Sequence, residues 1–292
     1  MGTSAVASGT LSCLICEAEN PPEAAYCSSC LAPMELAQQA LKQKRHPSII
    51  SVVGDTNVGK TTYLGMLLDV LSKRPRDLEA VPKGVYSINL QEMVITHLAA
   101  RQFPMKTASE PDTWHWAYYQ VTHRKRREKF YDLVMPDLAG EALAAELDNP
   151  HTFQVIVNLL SRSAGIILLL DAERAAAGRQ HQDFFALKVA SYIDDLQGSK
   201  RGRKVRKPIA FALCKSDRCP ECFDDAHRFA ETNLNRLWNL CHSRFDRFAF
   251  FACSVVGGLC YTDGGDGSRI DYPLHVEPRG VLEPFVWVIN QL

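Results

Sequence analysis

The segment Gly54-Asp55-Thr56-Asn57-Val58-Gly59-Lys60-Thr61 constrains this chain more than any other. It fits G-x-x-x-x-G-K-[ST], directly after an apolar run at 48–53 and directly before a helical period from about 60 to 72. A strand that turns through glycine into a helix opens a βα unit, so the fold must supply a parallel neighbour. Apolar runs at 129–135, 165–170, 208–213 and 247–252 alternate with helical periods at 181–196, 224–242 and 282–291. A further strand at 114–121 faces 129–135 across the charged turn 122–128. The expectation is a mostly parallel α/β sheet flanked by helices, in a domain of residues 46–292. Residues 74–112 read as irregular chain around one helix at 90–101.

Glycine in that loop lets backbone N–H groups turn inward around a phosphate, and the following helix presents its positive N-terminus. Lys60 would reach the β- and γ-phosphates and the Thr61 hydroxyl would ligate Mg²⁺. Gly54, Asp55, Thr56, Asn57, Val58, Gly59 and Thr62 complete the cradle. Asp137-Leu138-Ala139-Gly140 is D-x-x-G after the 129–135 strand, placing a second Mg²⁺ ligand at Asp137 and an N–H that senses the γ-phosphate at Gly140. Asp132 is the rival, but its fourth residue is Met135. Lys215-Ser216-Asp217 follows the 208–213 strand, where a purine would be read. A carboxylate at Asp217 accepts from guanine and not from adenine, the Lys215 stem would lie over the ring, and Ser254 would support the base from the far side.

These segments, in this order, resemble the TRAFAC-class P-loop GTPases, the translation-factor and Ras-like proteins. Phe130-Tyr131-Asp132 before the D-x-x-G segment, and Glu283-Pro284-Phe285-x-Trp287, resemble more narrowly the bacterial zinc-ribbon GTPases of predicted conflict and signalling systems. The resemblance implies a Ras-like sheet, GTP/GDP and Mg²⁺ as ligands, and a protein effector or activator. It also implies a switch threonine on Mg²⁺, for which Thr107 is the candidate and Thr113 the runner-up. Two positions depart from the pattern. Cys214 stands where Asn or Thr precedes the lysine, and a thiol is a poor donor. Glu141 stands where a glutamine orients water in Ras-like proteins, and a carboxylate would repel the γ-phosphate. The expected activity is slow GTP hydrolysis, raised about 10³–10⁵-fold by a partner's arginine. The alternatives are a nucleotide-binding scaffold without useful catalysis and an ATP-using P-loop protein.

Cys13-x-x-Cys16 and Cys27-x-x-Cys30, ten residues apart, have the spacing of two zinc knuckles. Residues 1–45 therefore read as a zinc ribbon and linker, the linker helical from 34 to 45 and ended by His46-Pro47. An iron–sulfur site and a redox pair are the rival chemistries. Glu17, Glu19 and Glu23 disfavour phosphate contact, so the ribbon would dock a protein or organise the terminus. Cys219 and Cys222 read as free thiols, the alternative being a second metal site with Cys214 or Cys241.

Basic and acidic residues balance at 33 each, so net charge selects no partner. Two clusters do stand out: Arg124, Lys125, Arg126 and Arg127, and then Lys200, Arg201, Arg203, Lys204, Arg206 and Lys207. With a Ras-like strand order both lie at the end of the sheet remote from nucleotide, about 15 Å apart. Solvated loops and a polyanion or acidic-protein contact are the competing readings. Trp114, Trp116 and Tyr118 alternate, so they share one face and read as core. The first ten residues lack a basic start and an apolar run, Val6 breaks the myristoylation pattern, and no apolar run approaches the roughly 20 residues that span a bilayer. A cytoplasmic protein is expected.

Overall fold

The computed structural model describes residues 9–43, 48–73, 75, 78–105, 116–123, 126–136, 140–178, 180–198, 203–263 and 269–292. Its centre is a seven-stranded sheet in the order β4-β5-β6-β3-β7-β8-β9. Four of these strands, β3 (Ser48–Gly54), β7 (Gly165–Asp171), β8 (Ile209–Cys214) and β9 (Phe248–Ala252), are parallel neighbours. β6 (Arg126–Pro136) runs parallel to β3, and β5 (Trp116–His123) and then β4 (Leu78–Lys83) add antiparallel. Every residue of β7 is buried, as a strand covered on both faces requires, which explains its unbroken apolar sequence.

Helices cover both faces. Tyr119, Val121, Leu133, Ile167, Leu169 and Ala210 form one core with α2 (Lys60–Ser72), α3 (Val85–Ala99) and α11 (Glu283–Gln291). On the other face Trp116, Tyr118, Val134, Leu168, Phe211 and Phe250 pack beneath α4 (Gly140–Asp148), α5 (Gln154–Arg162), α7 (Gln180–Leu196), α9 (Ala226–Asn233) and α10 (Asn235–Arg244). Trp116 and Tyr118 are core, as expected; Trp114 lies outside the described residues, as do His46 and Pro47.

The N-terminal segment joins that second core. Its strands β1 (Leu11–Ser12) and β2 (Glu19–Asn20) pair antiparallel, and α1 (Glu35–Gln43) supplies the helical linker. Ile15, Ala32, Met34 and Leu36 are buried in the same cluster as Ile49 and Leu160. Arg162, at the end of α5, ion-pairs with Glu17 and donates to the Leu14 carbonyl at 3.4 Å.

The register levels the C-terminal ends of the parallel strands. Gly54 pairs with Leu169, Asp171 with Cys214, and Leu213 with Ala252. Loops leaving these strands therefore share one rim, where ligands bind in open α/β sheets.

Four features depart from the sequence expectation. The span 224–242 is not one helix: a short α8 (Glu221–Asp224) ends where Asp225 turns out to cap α9, accepting from the Arg228 N–H at 2.9 Å. α3 begins at Val85 instead of 90, immediately after Gly84, whose φ of 77° no β-carbon tolerates well. β4 is an edge strand despite Pro82, because proline is admissible where one side needs no ladder bond. The largest addition is a hairpin of β10 (Ser254–Asp263) and β11 (Arg269–Arg279), inserted between β9 and the final helix.

Candidate functional site

The loop after β3 is shaped by its glycines. Gly54 sits 2.9 Å, measured to an added β-carbon, from Leu169 Cβ, so nothing larger fits beside β7. Asn57 adopts φ 60° and Gly59 φ 90°, ψ 30°, the left-handed corner that releases the chain into α2. Lys60 is the first residue of that helix and is buried at 8% exposure. Asp55 Oδ1 accepts from the Thr56 N–H at 2.7 Å, and the Arg174 guanidinium donates to the Thr56 carbonyl at 3.0 Å. The same guanidinium lies 3.5 Å from Asp55 Oδ2.

Arg174 is in turn fixed by Asp171, the last residue of β7. Asp171 caps α6 (Ala172–Ala176) by accepting the Arg174 N–H at 3.0 Å, and its other oxygen takes the Lys215 ammonium at 2.6 Å. Lys215 holds φ 60° before the 3-10 turn Ser216–Arg218. Ser216 anchors this turn by donating to the Leu213 carbonyl at 2.7 Å. Asp217 Oδ1 accepts from Ser254 Oγ at 2.6 Å. A carboxylate has four acceptor sites, so this bond leaves capacity for a purine's N–H groups.

These parts meet in one cavity of about 330 Å³, inside the range of small-molecule sites. Its walls include the whole run from Asp55 to Thr62 at one end and Cys214, Lys215, Asp217 and Ser254 at the other. Gly140, Glu141, Phe103, Pro104 and Met105 also line it. A β-carbon on Gly140 would press on the Thr56 backbone and lie 2.6 Å from the Asp55 carbonyl carbon. Only glycine permits that approach. Asp137, Thr107 and Thr113 lie outside the described residues.

Cys214 is buried against Cys253 at the end of β9. The hydrogen bond with Cys214, followed by burial, raises the Cys253 thiol well above its ordinary range. Cys214 thus turns toward a sulfur, where the GTPase pattern has an amide or hydroxyl.

Sequence reasoning missed four contributors: Asp171, Arg174, Arg218 and the β10–β11 hairpin. Asp171 was detectable, since an aspartate directly after an apolar run is a helix-cap signal. Val255, Val256, Leu259 and Asp271 of the hairpin line the cavity. Arg218 pairs with Asp271 and, at 2.5 Å, with Glu173.

The four ribbon cysteines converge, their sulfurs all within 4.8 Å of one another. Cys13 and Cys30 are 3.7 Å apart, and Cys16 and Cys27 3.4 Å. Tetrahedral ligands about 2.3 Å from zinc would sit about 3.8 Å apart, so the donor set fits an S₄ shell. The Ile15 and Ser29 N–H groups donate to Cys13 and Cys27 sulfur at 3.4 Å each, as thiolate ligands require. The Cys30 hydrogen bond is the main influence that lowers the Cys13 thiol to about 5. Among the described residues no other Cys, His, Asp or Glu group of this kind forms.

Of the basic clusters, Arg124, Lys125, Lys200 and Arg201 lie outside the described residues. Lys207 is not a free surface charge: it donates to the Leu160 and Ser161 carbonyls at 2.5 and 2.9 Å and so closes the C-terminus of α5. Lys204 donates to the His242 carbonyl at 2.8 Å. Among the described residues no helix is long and apolar enough to cross a membrane.

Fold and site together define a P-loop nucleotide-binding protein of the GTPase class, carrying an N-terminal cysteine cluster. The chain belongs to the Double-GTPase 2 family, whose model matches residues 48–258. No curated protein matches it. Among solved structures it is similar to an ADP-ribosylation-factor-like GTP-binding protein, a small COPII coat GTPase of Encephalitozoon cuniculi, at 14% identity and TM-score 0.39 over 88% of this chain and 85% of that one. It is also similar to the Saccharomyces cerevisiae Ski7 GTPase-like domain, at 18% identity and TM-score 0.43 over 70% of this chain and 42% of that one.

Proposed function

We propose that this chain is a guanine-nucleotide switch of the cytoplasm, with slow Mg²⁺-dependent GTP hydrolysis that a protein partner stimulates. One observation carries the reading: the glycine cradle around Lys60 and the acceptor Asp217 line the two ends of a single cavity. Lys60 neutralises the β- and γ-phosphates while backbone N–H groups of 55–60 hold them. Asp217, held by Ser254, accepts from guanine, and adenine offers it no matching pair of donors. The Lys215 stem lies along the ring, its ammonium fixed on Asp171.

Thr61, Asp137 and Thr107 would hold Mg²⁺. When bound, that ion would offset the charge that builds on the phosphates. Gly140 presses on the cradle at Thr56, where a change at the γ-phosphate would move α4 and report nucleotide state. Glu141 lines the same cavity where an amide would orient water, and its replacement of that amide keeps intrinsic turnover slow. The ribbon cysteines hold Zn²⁺, and residues 1–45 serve as a docked structural module on the 46–292 GTPase domain.

Single-turnover hydrolysis of GTP with Mg²⁺ tests the catalytic part. Slow conversion that Glu141→Gln accelerates is expected, because an amide can orient water. Rapid turnover unaltered by Glu141→Gln removes the slow-switch reading.

A further inference from the structure

We propose that Arg218 is a positioning residue for the bound nucleotide: it straps the β10–β11 hairpin across the base end of the cavity and thereby sets how fast nucleotide leaves. The inference rests on the guanine-nucleotide reading above.

Arg218 follows Asp217 on the same 3-10 turn, so its position is tied to the base-reading carboxylate. One guanidinium nitrogen meets Glu173 of α6 and the other meets Asp271 of β11. Arg218 is 24% exposed and Asp271 27%, which limits solvent screening of that pair, whereas Glu173 is half-exposed and its pair weaker. Asp271 stands directly across from Tyr261 in the hairpin register, and both Asp271 and Leu259 flank the cavity or its mouth.

The stem of the hairpin is anchored independently. Ser254 pairs with Arg279, Gly280 at φ 68° backs onto the Ala252 carbonyl too closely for a β-carbon, and the Arg279 guanidinium lies 4.1 Å from the Phe223 ring centre. Further out, apolar burial falls away: Tyr261 is 59% exposed and Leu274 41%. α3 touches β11 and β10 touches the Ser216–Arg218 turn; among the described residues the ion pair that fastens β11 to that turn is Arg218–Asp271. A purine seated at Asp217 would have Val255, Val256 and Leu259 over its edge, and its exit would require that wall to give.

The test is stopped-flow release of a fluorescent N-methylanthraniloyl derivative of GDP from the full chain. Arg218→Ala and Asp271→Asn should each speed dissociation on the order of tenfold, with association changed by no more than about twofold. The double variant should release no faster than Arg218→Ala alone, because that change already removes the contact with Asp271. Arg218→Lys should restore part of the slow release, and raised salt should speed release from the wild type more than from Arg218→Ala. If Arg218→Ala does not fold, Asp271→Asn carries the test. Dissociation unchanged in variants that bind overturns the strap alone, as do additive effects in the double variant. A wild-type chain that binds no guanine nucleotide removes both the strap and the reading beneath it.

Discussion

Lys215 and Asp171 join two loops of the cavity: their ion pair, 2.6 Å long, links the Ser216–Arg218 turn to a carboxylate that also holds Arg174, whose guanidinium donates to the Gly54–Thr61 loop. Asp171 is 1% exposed, so its charge is balanced by these partners and not by water. The two loops are therefore coupled through one side chain.

Asp171→Ala should lower folding stability by about 2 kcal/mol, since it removes charge-assisted bonds and leaves Lys215 without its partner. It should weaken GDP binding more than Arg174→Ala does, because it loosens both loops. Chemical denaturation and calorimetric titration of the two variants check this. Equal effects from both would show that the two ends are independent.

Gly140→Ala should leave GDP affinity within about threefold and weaken a non-hydrolysable GTP analogue by about tenfold or more. The added carbon collides with the Thr56 backbone and drives α4 off the cradle. Parallel titrations with the two nucleotides measure the ratio, and an unchanged ratio would dissociate Gly140 from nucleotide sensing.

Metal analysis should find one Zn²⁺ per chain, and a thiol-directed chelator should lower the melting temperature of the whole protein. Zinc binding in small ribbons contributes on the order of 10 kcal/mol to their folding. Here Ile15, Met34 and Leu36 share a core with the sheet, so loss of the ribbon exposes that face. A separate low-temperature transition, with the main one unmoved, would mean that the ribbon folds apart from the GTPase domain.

Burial lowers the Lys207 ammonium to about 8 from its usual 10.5. Its folded value is the lower, so between about pH 8 and 10.5 the unfolded chain binds more protons and stability rises with pH. Below about pH 8 both states are charged and the contribution is constant. Denaturation of wild type against Lys207→Met should show the wild type gaining across that window. A constant difference from pH 7 to 10 would mean that the carbonyls of Leu160 and Ser161 fully compensate burial.

The parts legible in the sequence were those specified by local spacing. Gly54, Gly59 and Lys60 fix their loop through backbone rules that act over eight residues, and the cysteine knuckles do the same. Lys215 and Asp217 were readable because their place after the fourth parallel strand is set by the order of the chain. The hairpin was hidden because Gly257, Gly258 and Pro273 break the alternation that marks a strand, and a two-stranded ribbon tolerates them. Arg174 and Arg218 act across more than 40 residues of sequence, through partners that only the folded rim assembles. Lys207 looked like surface charge because its acceptors belong to α5, a helix that the sequence pattern did not reveal.

The central claim is that one cavity binds a guanine nucleotide through Lys60 at one end and Asp217 at the other. Competition titration of labelled GDP against GDP, ADP and xanthosine diphosphate, with wild type and Asp217→Asn, tests it most directly. The wild type should prefer GDP to ADP by at least about a hundredfold, and Asp217→Asn should shift the preference toward xanthosine diphosphate, whose ring offers an acceptor where guanine offers a donor. Equal binding of GDP and ADP, or a preference untouched by Asp217→Asn, would contradict the account.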